Sequence, residues 1–312
     1  MTFSTIAIIG LGLQGGSIGL AVREFLPEAR TTGFDLSPAH RERAGQRGLV
    51  DTVCATASEA VREADLVIFC VPPGAMGIAA EHVREALPRT ALVSDVGSSK
   101  QAIAKALGDA LPDHVVIPAH PVAGTENSGP DAGFAHLFRN RWCIVTPPPT
   151  VDMVRLSQLV GFWEALGANV EIMTAEHHDL VLAVTSHLPH LIAYTIVGTA
   201  SDLEDVTQGE VIKYSAGGFR DFTRIAASDP TMWRDVFLSN KEAVLTMLQR
   251  FTEDLTALQR AIRVGDGEQL FEHFARTRAI RRSIIEEGQD DARPDFGRGD
   301  HEGGQGDSQA GG

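Results

Sequence analysis

Ile6-Ala7-Ile8-Ile9-Gly10-Leu11-Gly12-Leu13-Gln14-Gly15-Gly16-Ser17 decides the fold of this chain. A short, β-branched apolar run entering glycines reads as a strand buried on both faces that ends in a tight turn. Gly10, Gly12 and Gly15 form G-x-G-x-x-G ahead of a helical pattern. Gly10 lets the chain turn, Gly12 lets the backbone approach a pyrophosphate, and Gly15 lets the helix pack close to the strand. The helix start then offers free N–H groups to an anion. Asp35 closes the next apolar run, Thr31–Phe34, 20 residues after Gly15. A carboxylate there accepts from the adenosine ribose hydroxyls and repels a 2′-phosphate. The pattern points to NAD rather than NADP, held by Gly10, Leu11, Gly12, Gln14, Gly15 and Asp35. Arg41 and Arg43 lie close by and temper that preference.

Further apolar runs follow at Leu66–Val71, Ala91–Ser94, Val115–Ile117 and Cys143–Val145, with helical patterns between most of them. That alternation predicts an α/β fold, a parallel doubly wound sheet of Rossmann type. In such sheets ligands bind beyond the carboxyl ends of the strands. The turn after Leu66–Val71 therefore brings Val71 and Pro72 to the cofactor, and the loop Ser94–Lys100 and His120 reach the same edge. Pro147-Pro148-Pro149 marks a seam, because three prolines continue neither a helix nor a central strand. Beyond it one more short strand, Asn169–Met173, precedes long helical patterns. The expected division is a nucleotide-binding domain over 1–147, a mostly helical domain over 148–287 and a tail over 288–312. The tail is rich in Gly, Asp, Gln and Ser and should be disordered.

At 312 residues with 43% hydrophobic content, the chain can bury two cores. The net charge of −14 argues against nucleic acid or an anionic membrane as partner. Much of it is local: Glu286 to Gly312 holds eight acidic residues against Arg293 and Arg298. Cys54, Cys70 and Cys143 are scattered without metal-ligand spacing, which fits a reducing, cytoplasmic setting and predicts no metal site. No basic leader precedes the first apolar run, and no membrane-spanning run stands out.

Several segments together resemble the prephenate/arogenate dehydrogenases of tyrosine biosynthesis: GLGLQGGS (10–17), SDVGSSK (94–100), HPVAGTENSG (120–129), SHLPH (186–190) and GGFRDFTRIAASDPTMWRD (217–235). The resemblance covers residues 1 to about 285. It implies an NAD-dependent oxidative decarboxylation of a cyclohexadienyl ring acid, prephenate and/or arogenate, in a homodimer paired through the helical domain. It also implies roles. His120 accepts the hydroxyl proton, and Ser98 hydrogen-bonds that histidine and the reacting hydroxyl. Arg224 clamps a ring carboxylate, as a guanidinium fork suits. His190 contacts the substrate chiefly, with His187 and His178 nearby, although a straight helix would turn His178 well away from His190. Glu126 and Asp221 join the arginine in an ionic gate, and Trp233 lies near the site. A β-hydroxyacid or imine dehydrogenase also joins a Rossmann domain to a helical one, but uses a lysine that Lys213 and Lys241 supply in no recognisable motif. A non-catalytic NAD sensor would not need Ser98, His120 and Arg224 together.

Overall fold

The computed structural model describes residues 3–125, 127–202 and 217–286. Strand β1 (Thr5–Ile9) is buried along its whole length, as a central parallel strand requires. Its alternation splits the core: Ile6 and Ile8 pack with Ile18, Val22 and Leu49 on one face, while Ala7 and Ile9 pack with Phe69, Met76 and Val93 on the other. Ile6, Ile8, Leu66 and Ile68 are completely buried, and each such side chain contributes about 1.5–3 kcal/mol.

Around β1 stand β2 (Arg30–Phe34), β3 (Thr52–Val53), β4 (Leu66–Phe69), β5 (Leu92–Asp95) and β6 (Val115–Val116), in the order β3-β2-β1-β4-β5-β6. Every pairing in this sheet is parallel. The connecting helices are α1 (Leu13–Phe25), α2 (Pro38–Arg47), α3 (Ala57–Val61), α4 (Met76–Val83) and α5 (Gln101–Ala110). This is the expected Rossmann-type layering, with the turns after β1, β4 and β5 on one edge.

The turn after β1 leaves no room for side chains at two of its glycines. Gly10 has φ +103°, and a Cβ on Gly15 would stand 1.9 Å from the Gly10 carbonyl oxygen. Gly15→Ala must therefore push α1 off the strand, at a cost of about 1–3 kcal/mol. A lowered melting temperature together with weaker dinucleotide binding is the expected result, checked by thermal unfolding and ligand titration.

A second sheet was not expected. β7 (Ala119–Pro121), β8 (Trp142–Val145) and β9 (Asn169–Ile172) form a three-stranded sheet, with β7 and β8 antiparallel and β8 and β9 parallel. Cys143–Val145 belongs here rather than to the parallel sheet. His120 lies within β7. β7 is an edge strand, where Pro121 costs no central ladder bond. Helix α6 (Met153–Ala165) joins β8 to β9, its start capped by Asp152 accepting from the Val154 N–H at 2.8 Å.

Helix α7 (Ala175–Leu182) runs through a π-turn, Ala183–His187, into α8 (Leu188–Ser201). Pro189 explains the turn. It has no N–H for the Thr185 carbonyl and its ring would strike it, so the helix widens, and the Leu188 N–H reaches back to the Ala183 carbonyl. The whole run, Ala175–Ser201, spans 27 residues and holds an 18-residue window of mean hydropathy 1.6, long and apolar enough to cross a membrane by length and composition. This corrects the expectation that no such run exists. A core helix passes the same test, and here His178, Asp179 and His187 are buried within the molecule.

Next come α9 (Gly217–Thr223), a 3-10 turn (Arg224–Ala227), α10 (Pro230–Ser239), α11 (Lys241–Val264) and α12 (Gly267–Glu286). The described residues up to 247 form one compact unit, which holds both sheets and the triple proline, and those from 248 to 286 form a second. In the second unit the chain turns at Gly265, φ +73°, and Asp266 caps α12 by accepting from the Gln269 N–H at 3.0 Å. The acidic tail lies outside the described residues.

Candidate active site

The nucleotide turn is drawn together by its own acid. Asp35 accepts from the Leu11 N–H and the Ser37 N–H, each at 2.9 Å, and lies 3.3 Å from His40 Nδ1. Arg41 donates to the Asp35 carbonyl at 2.7 Å and sits over the Phe34 ring. A Cβ on Gly12 would meet nothing within 4 Å, and no side chain caps the start of α1. The start of α1 therefore faces open space at Gly12 with no side chain on its first amides, which suits a pyrophosphate. Gln14 reaches from α1 to the Ala123 carbonyl, tying the loop after His120 to this turn. Val71 and Pro72 lead into a 3-10 turn, Pro73–Ala75, that packs on α10; a Cβ on Gly74 would lie 2.9 Å from Asp235 Oδ2. Asp35→Ser should weaken NAD and raise the relative affinity for NADP, measured by titration with both. An unchanged ratio would show that Asp35 serves the turn alone.

His120 is 8% exposed, and its Nδ1 lies 2.8 Å from Nε2 of His178. His178 Nδ1 lies 2.8 Å from Asp179 Oδ1. Asp179 also accepts from the Lys100 N–H at 2.6 Å and the Gln101 N–H at 3.0 Å, so it closes the start of α5. Burial alone would raise the Asp179 carboxyl, but the bonds from His178, Lys100 and Gln101 bring it below the usual carboxylate range. Burial, then His178, Lys100 and His187, hold His120 well below the ordinary histidine range. Burial also lowers His178, against the pull of Asp179. An uncharged imidazole at the cofactor edge can take up a proton.

Beneath it lies a fully buried ion pair. Lys100 Nζ donates to Asp95 Oδ2 at 2.5 Å and to the Ala119 carbonyl at 2.7 Å. Asp95 in turn accepts from the Gly97 and Ala119 N–H groups. Burial pushes the Asp95 carboxyl up and the Lys100 ammonium down, each opposed by its partner. The pair holds β7 beside β5 and so sets where His120 stands.

A second wall comes from the helices. The His190 and Trp233 rings stack with centroids 3.6 Å apart, and His190 Nδ1 donates to the Ser186 carbonyl at 2.9 Å. Burial lowers the His190 imidazole, the Ser186 carbonyl opposes, and the nearby positive charge of Arg224 lowers it further. Arg224 thus lies beside this wall, half-buried at the head of the 3-10 turn. Tyr194 donates to the Ser228 carbonyl at 2.8 Å and fastens α8 to the segment that carries it.

Other expected residues fall differently. His178 and His187 are completely buried, so neither offers a free surface to a substrate. His178 backs His120; His187 packs edge-on to Trp233 and lies 3.1 Å from Asn240 Nδ2, which also donates to the Asp179 carbonyl. Burial lowers His187 to about 4. The expected Ser98 bond to His120 does not form: Nδ1 is taken by His178, and the Ser98 backbone faces His187. Ser99 is the buried serine of that loop, its Oγ 2.7 Å from Ser239 Oγ on α10. Asp221 is exposed and pairs with Arg220 at 3.5 Å, and Glu126 lies outside the described residues. Among the described residues no group of His, Cys, Asp and Glu could hold a metal. Asp95, Lys100, Asp179 and Asn240 were missed, though Asp179 directly follows His178 and the first two lie in the SDVGSSK segment.

Comparison with known proteins gives this arrangement a family. Residues 18–172 match the prephenate dehydrogenase nucleotide-binding domain, and residues 174–276 match the prephenate dehydrogenase dimerization domain. A cyclohexadienyl dehydrogenase of Zymomonas mobilis is 45% identical over 90% of this chain and 96% of its own. A prephenate dehydrogenase of Bacillus subtilis is 34% identical, over 86% of this chain and 73% of its own. The crystal structure of prephenate dehydrogenase from A. aeolicus, in complex with hydroxyphenyl propionate and NAD+, superposes with a TM-score of 0.84 at 33% identity, covering 91% of this chain and 99% of that one. With both domain models matched and such relatives over nearly its full length, the chain belongs to the prephenate dehydrogenase family.

Proposed function

We propose that this protein catalyses the NAD-dependent oxidative decarboxylation of prephenate to 4-hydroxyphenylpyruvate, of arogenate to tyrosine, or of both, in tyrosine biosynthesis. One observation carries the reading: His120, with its lowered pKa, stands at the edge that also carries the nucleotide turn, and Arg224, His190 and Trp233 gather on the helical side. Bound NAD would supply the hydride acceptor for the carbinol carbon of the ring. Gly10, Leu11, Gly12, Gln14, Gly15 and Asp35 would hold it, with Val71 and Pro72 alongside. His120 takes the hydroxyl proton, and the ring carboxylate leaves as carbon dioxide. Aromatisation drives the reaction, so the protein chiefly positions the ring and receives the proton. Arg224 binds a carboxylate, and His190 on Trp233 lines the ring. Ser98 on its half-buried loop and Asp221 at the entrance act beside them.

Residues 1–147 serve the cofactor and the proton acceptor, and 148–287 serve the ring and subunit pairing. We read the protein as a cytoplasmic homodimer acting on a small molecule, without nucleic-acid or membrane partners. Leu180, Val184, Ile196 and Val197 on α7–α8, and Phe271 and Phe274 on α12, are exposed apolar side chains that a second subunit would cover. The three free cysteines suit a reducing compartment. Formation of NADH on adding prephenate tests the activity. Comparing kcat/KM for prephenate and arogenate, each with NAD and NADP, sets the preference, and no turnover of either acid would overturn the reading.

A further inference from the structure

Three polar side chains in a row, Asp179, His178 and His120, leave only one consistent placement of protons. The Asp179 carboxylate accepts from the Lys100 and Gln101 backbone N–H groups and lies 2.8 Å from His178 Nδ1, and an ionised carboxylate can only accept. His178 must therefore donate from Nδ1. In a neutral imidazole the other nitrogen is then an acceptor, so His178 Nε2 receives the bond from His120. His120 must in turn carry its proton on Nδ1. Its lone pair is left on Nε2, to which no hydrogen bond runs from any described residue.

We propose that His178 and Asp179 are positioning residues that hold His120 in the one tautomer whose Nε2 can accept a proton. The proposal rests on the reading of His120 as proton acceptor. Were the order reversed, His120 would present an N–H to the reacting hydroxyl and could not take its proton. When the hydroxyl proton moves to Nε2, the new positive charge on His120 is offset by the Asp179 carboxylate through His178. No proton has to move along the chain of rings. Because Asp179 is also fixed by the start of α5, and Asn240 holds the Asp179 carbonyl at 2.7 Å, the orienting carboxylate has no freedom to swing away.

The test needs no turnover at first. In protein carrying 15N-labelled histidine, the resonances of His120 are found by their loss in His120→Asn. The expected result is protonated Nδ1 and bare Nε2 for His120 and for His178 alike; a proton on His120 Nε2 overturns the proposal whatever the activity. Two substitutions then separate orientation from packing. His178→Gln can accept from His120 and donate to Asp179, and should keep kcat within about tenfold of the parent. His178→Leu can do neither and should lose about 10²-fold or more, towards the ~10⁴-fold that a wrong tautomer costs in a serine-protease triad. KM and NAD affinity should move less than about threefold in both, since neither contact is lost. Equal kcat in the two variants would assign His178 to packing alone. If His178→Leu does not fold, the tautomer measurement on the unaltered protein decides. Loss of turnover in His120→Asn tests the catalytic reading separately, so the two ideas can fail independently.

Discussion

His120→Asn should bind NAD as the parent does and turn over about 10²–10⁴-fold more slowly, the usual worth of a positioned base. Asparagine is a sharp choice here because its amide can still donate to His178 Nε2, replacing the 2.8 Å bond that His120 makes. The buried chain stays satisfied, and only the acceptor facing the site is lost. Burial and the neighbouring His178, Lys100 and His187 hold His120 well below its ordinary value, which for histidine is about 6.5. A lowered pKa keeps the imidazole neutral as pH falls, so the acid limb of kcat/KM should lie below pH ~6.5. Turnover near the parent's in His120→Asn would remove the residue from the reaction.

Arg224→Ala should raise KM strongly and kcat only a little. Losing a charge-assisted, bidentate contact in a partly buried site costs about 2–4 kcal/mol, or roughly 30–1000-fold in substrate affinity. Arg224 lies near His190 on the helical side, away from the turn that Asp35 organises, so NAD affinity should barely change. Lysine should restore part of the loss, because a point charge cannot reproduce the guanidinium fork. Equal weakening of NAD and prephenate would mean that the side chain supports the fold instead.

The parallel sheet was legible because its signals are local. Ile6–Ile9 runs into Gly10, and the φ of +103° there and the 1.9 Å clash at Gly15 are the tasks that the glycine spacing announces. The small sheet was not legible. Ala119–Pro121 has three residues and takes its partner from Trp142–Val145 across a long loop, and nothing in either stretch announces the other. Among the site residues, those matched to a family motif could be named, but their partners could not. That His178 faces His120 rather than a substrate depends on which way α7 rolls against α5, which Asp179 settles by bonding to two amides 78 and 79 residues upstream. Lys100 and Asp95 are ordinary polar residues in sequence and become a buried pair only when β5, α5 and β7 meet.

The π-turn between α7 and α8 works as a phase setter. A regular helix advances about 100° for each residue, and a widened turn absorbs part of one such step. Upstream of Ala183 the helix addresses His120, through His178 and Asp179; downstream of His187 it carries His190 against Trp233. The azimuth between these two duties is written into a single irregular turn and the proline that imposes it. One residue gained or lost between Leu182 and Leu188 would swing the downstream half around while the upstream half stayed anchored to the start of α5. Such a chain would keep every side chain of its chemistry and lose their alignment, which makes this turn the least divisible part of the molecule.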